Sequence, residues 1–233
     1  MLSILYNIII MPLVLIMELI FSIGYRAFSN PGLAIIGVSL GVNLLSFPLY
    51  RRADAIQDEE RAIQKKMAPS IKHIRKSFKG DERFMILQTF YRQQNYSPLM
   101  VFRGSLPLLL QIPFFTAAYR DLSNLSLLNG CSFFIFNDLG VPDGLIHIGA
   151  LTLNLLPILM TAINFVSGYI YTRGFPLKDK AQLYLLALFF LVFLYHCPSG
   201  LVFYWTLNNL FSLAKNIFLK LVPNPKKTLA YLI

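Results

Sequence analysis

The sequence predicts an all-α, polytopic membrane protein, a prediction that rests on composition and on repeated apolar stretches. Of the 233 residues, 56% are hydrophobic and 14% are charged, whereas a soluble domain carries about 25% charged residues. Each apolar stretch approaches the roughly 17–25 residues that a helix needs to cross a bilayer. Because backbone groups in lipid must be paired within the protein, these stretches are expected to be helices. The predicted core, residues 31–223, has five spans at about 33–50, 98–120, 148–171, 181–195 and 199–221.

Residues 1–30 precede these spans and contain an apolar segment of their own. Asn7, Glu18 and Ser22 fall on one narrow face of a helix drawn over residues 3–28. This segment either crosses the membrane or lies along its surface as an amphipathic helix. A turn at 29–32, Ser-Asn-Pro-Gly, separates it from the first core span.

A strongly basic region follows the first core span. Residues 51–97 hold eleven Lys or Arg against six acids. Apolar residues recur there with a helical period in two sets, and a turn at 79–81 separates them. The first set is Ile63, Met67, Ile71, Ile74 and Phe78, and the second is Phe84, Leu87, Phe90 and Tyr91. The region is therefore predicted to be a two-helix hairpin outside the bilayer. Its candidate binding residues are the cations Arg61, Lys65, Lys66, Lys72, Arg75 and Lys76.

The distribution of charge predicts the orientation of the chain. Lys and Arg concentrate in 51–97, 172–180 and 220–233, and the positive-inside rule makes these segments cytoplasmic. The short tail 224–233 is then cytoplasmic, and the net charge of +10 reflects topology rather than specific binding of nucleic acid. Cys131 and Cys197 both fall on the outer side, where they either form a disulfide or pack as free thiols.

Polar residues lie on one face of three spans, at spacings of three, four or their sums. They either hydrogen-bond between packed helices or line a shared hydrated groove. The second span adds polar residues less regularly. The candidate groove residues are Asn43, Ser46, Arg103, Gln111, Asn164, Trp205, Asn209 and Ser212.

Signatures of catalysis are missing from the sequence. The core spans contain no carboxylate pair, and no His-Glu zinc motif, glycine-rich phosphate loop or Ser-x-x-Lys element occurs. We therefore expect no enzyme activity, no metal site and no cofactor.

Three motifs resemble the YidC/Oxa/Alb family of membrane insertases. Ser97-Pro98-Leu99 followed by 106–113 (LPLLLQIP) is similar to the family's "NPL…FPxLIQMPI". Residues 156–160 (LPILM) match its third helix. Residues 198–205 (PSGLVFYW), with Asn208-Asn209-Leu210, resemble its fifth helix, and this motif is specific. The resemblance extends over essentially the whole chain.

The resemblance implies a fold and a function. The fold is a five-helix core with a groove open to cytoplasm and lipid, preceded by an external amphipathic helix and carrying a cytoplasmic hairpin. The function is that of an insertase and chaperone in a bacterial cell membrane. Its implied partners are newly made membrane proteins and the lipid bilayer, with the Sec translocon and the ribosome as further candidates. Trp205 would contact substrate.

One departure from the family concerns charge in the groove. The family's first core helix usually has an arginine five residues before the proline of "PL", and here that position is Asn43. Arg103 either supplies the missing charge or extends to the cytoplasmic surface. Electrostatic attraction for acidic client segments should therefore be weaker or relocated.

Two other functions stay open at the level of sequence. A membrane scaffold that binds one partner without inserting it is compatible with the missing arginine. A small-solute transporter would suit the polar faces, but the inverted repeats and interrupted helices of many transporters are not found.

Overall fold

The structure is a computed structural model that describes residues 6–148, 151–171 and 177–221. A π-helical turn, Tyr6–Ile10, continues into α1. Two short strands, β1 (Ile146–Ile148) and β2 (Leu151–Leu153), pair antiparallel. The α-helices are α1 (Met11–Phe28), α2 (Pro31–Ser77), α3 (Gly80–Gln93), α4 (Leu106–Ser123), α5 (Leu155–Tyr171), α6 (Leu177–Leu194) and α7 (Ser199–Leu221).

Among the described helices, Tyr6–Phe28 and Pro31–Ser77 are long and apolar enough to cross a membrane. Leu155–Ile170 and Leu183–Leu194 are shorter apolar helical stretches. The segment 3–28 is helical over its described part, and α7 has the predicted limits of the last span. The predicted tail 224–233 lies outside the described residues.

The chain divides into two compact units. The first comprises Met1–Leu44 and Thr116–Ile233. In this unit α5 packs against α6 and α7. Close approach of α1 and α2 depends on a glycine, because a Cβ at Gly24 would lie 3.1 Å from Ala34 Cα. Ala34, Ile35, Met160 and Leu201 form part of a core that excludes solvent.

The loop between α4 and β1 packs against the start of α7 in the first unit. The backbone nitrogens of Ser199 and Gly200 donate to the carbonyl oxygens of Val141 and Leu139, each at 2.8 Å. Ser199 Oγ also donates to the carbonyl oxygen of Asp138 at 2.7 Å. Leu139 itself is buried. These bonds fix the loop across the start of α7.

The second unit is Leu45–Phe115 and includes the residues 51–97 that were predicted to form a hairpin. Met67 and Ile74 are buried there, as the helical period predicts. The backbone turns between Ser77 and α3, and Gly80 has a φ of +58. Phe84 was expected on the apolar face of the second helix, but its side chain is 68% exposed.

Three predicted element boundaries are wrong. The helix that starts with the first core span does not end at Tyr50 but continues as α2 to Ser77, with Pro48 and Pro69 inside it. A proline removes one backbone hydrogen bond, and the neighbouring turns hold the helix. Residues Pro98–Ser105 form a 3-10 helix, and α4 begins only at Leu106. Pro107 therefore lies in the first turn of α4, where a proline costs little.

The third predicted span, 148–171, is helical only from Leu155 onward. Residues 151–153 belong to the β-hairpin instead. Side-chain capping sets this boundary, because Asp143 Oδ2 accepts hydrogen bonds from the backbone nitrogens of Leu155 and Leu156 at 2.7 and 3.2 Å. Such acceptors satisfy donors that a helix start leaves unpaired.

Candidate functional site

A cluster of polar side chains lies between α2 and α7 in the first unit. Asn43 Nδ2 donates to Asn208 Oδ1 and, at 2.8 Å, to the carbonyl oxygen of Ser39. Ser39 Oγ donates to the same Asn208 oxygen at 2.9 Å. We call Ser39, Asn43 and Asn208 the amide cluster. It carries no formal charge, and it links two helices through one shared acceptor.

Asn209, the next residue on α7, is a predicted groove residue with an unused donor. Its side chain is 8% exposed. Within the described part of the chain, Asn209 Nδ2 has no hydrogen-bond acceptor. A buried amide without a partner costs free energy, so this nitrogen is suited to donate to a polar group of another molecule or to water.

Trp205 is placed in the core of the first unit. It is 3% exposed, and its ring lies 5.4 Å from that of Phe190, centroid to centroid. The ring of Tyr204 lies 6.5 Å away. Trp205 therefore packs at the α6–α7 contact, and its contact with a substrate stays a prediction.

The other predicted groove residues are distributed over both units. In the first unit Asn164 is half-buried on α5, and Ser212 is exposed on α7. In the second unit Ser46 is buried, Gln111 is half-buried, and Arg103 is exposed in the 3-10 helix before α4. The structure thus brings Asn43 into a defined contact, while the assignment of the others to one groove stays a prediction.

The hairpin of the second unit presents cations to solvent. Lys65, Lys66 and Lys72 are exposed, as are Arg75 and Lys76. Arg61 is less exposed and pairs with Asp58, with an N–O separation of 3.8 Å. These positions form a basic surface along one helix.

A buried carboxylate stands at the base of the hairpin. Glu60 is 2% exposed. Its Oε1 accepts hydrogen bonds from Tyr96 Oη and from Gln64 Nε2, the latter at 2.9 Å. Burial, and next the hydrogen bond to Glu60, raise the pKa of Tyr96 to about 12. The phenol therefore stays protonated and donates throughout the physiological range. Gln57 Nε2 donates to the carbonyl oxygen of Gly104 and ties the same helix to the 3-10 segment.

The sequence pattern did not identify Asn208 and Glu60 as site residues. Asn208 lies beside Asn209 in an otherwise apolar stretch, and two adjacent amides were a usable signal. Glu60 precedes Gln64 by one helical turn, which also indicates a local pair. Cys131 and Cys197 are free thiols, which favours the second of the two cysteine alternatives.

Comparisons with known proteins identify relatives along most of the chain. The family model described as 60Kd inner membrane protein matches residues 23–226. The membrane protein insertase YidC of Wolinella succinogenes is 34% identical over 212 residues, which are 88% of this chain and 36% of that protein. The YidC of Treponema denticola is 27% identical over 223 residues, 89% of this chain and 37% of that protein. The chain therefore spans little more than a third of the length of these relatives.

A solved structure has a similar fold. The crystal structure of an active YidC insertase with its first transmembrane domain resolved superposes with a TM-score of 0.54. It is 23% identical and covers 90% of this chain and 46% of that chain. At this identity the likeness concerns the fold.

Proposed function

The chain belongs to the 60Kd inner membrane protein family, which is the YidC/Oxa family, and from this membership we propose that it inserts newly made membrane proteins into a bacterial inner membrane. The observation that supports the proposal most directly is the amide cluster with the unused donor of Asn209 beside it. The buried Asn209 Nδ2 has no acceptor among the described residues, so a polar group of another molecule would satisfy it.

The proposed mechanism lowers the cost of moving a polar segment through lipid. Each unpaired polar group in hydrocarbon costs several kcal/mol. Donors on α2 and α7 would exchange hydrogen bonds with the hydrophilic segment of a client while its apolar segment moves into lipid. Burying roughly 20 apolar residues in the bilayer then supplies the driving force, so no nucleotide is required.

We propose that five helical spans form this insertase core. They are the apolar part of α2, then α4, α5, α6 and α7, with the hairpin and the C-terminus in the cytoplasm. The bonds between Ser199, Gly200 and the loop 124–145 support closure on the outer side. The orientation follows the distribution of Lys and Arg.

The hairpin is proposed to receive the client before insertion. Its exposed cations would attract acidic segments at a distance, an effect that salt weakens. Phe84 and Met85 on α3 are exposed and would contact apolar segments. The clients are newly made membrane proteins, and the Sec translocon and the ribosome are candidate partners.

Charge in the proposed groove distinguishes this chain within its family. Asn43 donates two hydrogen bonds within the amide cluster and adds no positive charge. We therefore propose clients whose translocated segments are neutral and polar. Arg103 is exposed and lies in the second unit, which is compatible with extension to the cytoplasmic surface.

Complementation of a bacterium depleted of its own insertase tests the proposal. We expect the wild-type chain to restore growth and Asn208→Ala to restore it less well, because Asn208 supplies the shared acceptor of the amide cluster. Asn137→Ala, at an exposed amide of the outer loop, is the matched control and should behave as wild type. Normal expression of the wild-type chain in the membrane without rescue would favour a non-inserting scaffold.

A further inference from the structure

A cavity of about 380 Å³ lies between α1 and the last turns of α4 in the first unit. Four of its lining residues are polar or charged, namely Glu18, Arg120, Asp121 and Asn124, and two are apolar, Val14 and Leu125. None of these residues belongs to the amide cluster or to the hairpin. The cavity therefore requires an explanation separate from the proposed insertion path.

Asp121 supplies a buried acceptor to this cavity. Its side chain is 7% exposed, and Oδ2 has no hydrogen-bond partner among the described residues. In that same part of the chain, no ion pair joins Arg120 to Asp121 or to Glu18. A buried carboxylate is stabilised strongly by a cation that also donates N–H groups. The carboxylate of Glu18 is exposed on the other wall and adds negative charge.

Arg120 supplies the opposite charge. Its guanidinium carbon lies 5.1 Å from the centroid of the Tyr6 ring, an arrangement that holds the cation through the face of the ring. A guanidinium presents a planar set of donors that matches a phosphate. The backbone at this point is fixed as well, because Asn124 Nδ2 donates to the carbonyl oxygen of Arg120 at 2.8 Å. One cavity thus offers acceptors for an ammonium group and donors for a phosphate.

The surface beside the cavity identifies the source of such a ligand. Leu15 and Leu19 flank Val14 and Glu18 on α1, and they are 56% and 59% exposed. They belong to a helix that is long and apolar enough to cross a membrane. Exposed leucines on such a helix are suited to packing against acyl chains. The zwitterion that fits is therefore the headgroup of a lipid rather than a free metabolite.

We propose that this cavity binds a phospholipid with a primary ammonium headgroup, of the phosphatidylethanolamine type. Asp121 and Glu18 accept hydrogen bonds from the ammonium, Arg120 donates to the phosphate, and the acyl chains lie along Leu15 and Leu19. A quaternary ammonium has no N–H donor and leaves Asp121 Oδ2 unsatisfied. The site therefore selects ethanolamine over choline headgroups, and it anchors α1 to lipid.

Thermal unfolding of the delipidated full chain in detergent tests this assignment. The probes are short-chain phosphatidylethanolamine, phosphatidylcholine and phosphatidylglycerol, with magnesium chloride as a separate addition. We expect phosphatidylethanolamine to raise the Tm of the wild type by several degrees, and the others to raise it by less than half as much. Arg120→Gln and Asp121→Asn should each lose most of the shift. Glu82→Gln and Arg83→Gln, exposed positions of α3, are the matched controls and should keep it.

Several outcomes would overturn the assignment. An equal shift with phosphatidylcholine would remove the requirement for N–H donors, and a shift with magnesium alone would make the cavity a cation site. Absence of any shift with phosphatidylethanolamine would also reject it. Because Asp121→Asn changes a buried group, Glu18→Gln serves as a second variant at an exposed position, and a full shift in both Glu18→Gln and Arg120→Gln would contradict the proposal.

Discussion

At the scale of residues, buried polar groups distinguish this chain from an ordinary apolar bundle. Asn43, identified from the sequence because it stands where the family usually has arginine, is brought by the fold onto Asn208, which the sequence pattern did not single out. The place of Trp205 in a motif did not reveal its burial in the core, where its ring lies 5.4 Å from that of Phe190. A motif specifies residue types, whereas burial depends on helices distant in sequence.

The shared acceptor of Asn208 leads to a prediction about stability. Asn208→Ala leaves Ser39 Oγ and one hydrogen of Asn43 Nδ2 without their common partner. We expect a loss of about 1 kcal/mol in the free energy of unfolding, since buried polar groups that lose a partner cost roughly 1–3 kcal/mol, and less within membranes. Denaturant unfolding in detergent measures it, with Asn137→Ala as the control. Equal stability of the two variants would contradict the amide cluster.

Tyr96 leads to a prediction about pH. Its pKa is raised to about 12, from an unfolded value near 10. Because the pKa is higher in the folded chain, the Tyr96 hydroxyl stabilises the folded state fully below about pH 10. This stabilisation is lost as the pH rises towards 12. We expect the difference in Tm between wild type and Tyr96→Phe to be constant from pH 7 to 9 and to shrink only above about 10. A difference that already falls between pH 7 and 9 would be incompatible with a protonated phenol donating to Glu60.

At the scale of elements, predictions from the sequence agree with the structure where hydrophobic periodicity or turn residues mark an element locally. The limits of α7 and the turn at Gly80 agree with prediction because a Pro-Ser-Gly start and a glycine at positive φ are local signals. The paired strands β1 and β2 were missed because their residues are as apolar as a membrane span. Only the caps from Asp143 and the loop contacts decide where α5 begins, and those depend on tertiary structure.

Docking of the loop 124–145 onto α7 gives a prediction at this scale. A Cβ at Gly200 would lie 3.0 Å from Leu128 Cδ1 and 3.1 Å from the carbonyl oxygen of Leu139. Gly200→Ala should therefore loosen the loop 124–145 and raise its amide hydrogen exchange roughly tenfold, equivalent to about 1.4 kcal/mol. Gly37→Ala is the control, since a Cβ there meets nothing within 4 Å. Unchanged exchange in Gly200→Ala would show that the loop adjusts without cost.

At the scale of the whole molecule, polar and charged residues are unevenly distributed along a largely apolar chain. The amide cluster belongs to the first unit, and the basic surface of the hairpin belongs to the second. The net charge of +10 arises mostly outside the apolar helices. Under the proposed function, long-range attraction for clients and short-range hydrogen bonding thus reside in different parts of the chain, so they can be altered independently.

This separation predicts how client charge governs insertion. Proteoliposomes containing the wild-type chain should insert a small client with a neutral, polar translocated tail better than the same client with acidic residues in that tail. Asn43→Arg should improve insertion of the acidic client by roughly fivefold, which corresponds to about 1 kcal/mol, the attraction of two unit charges at 4 Å in water. Asn43→Gln keeps an amide without adding charge and should leave the preference for the neutral client intact.

If Asn43→Arg improved insertion of both clients equally, charge at this position would not select clients. If neither client responded to Asn43→Arg or to Asn43→Gln, the polar segment would cross the membrane elsewhere, and Asn43 would serve only to join α2 to α7.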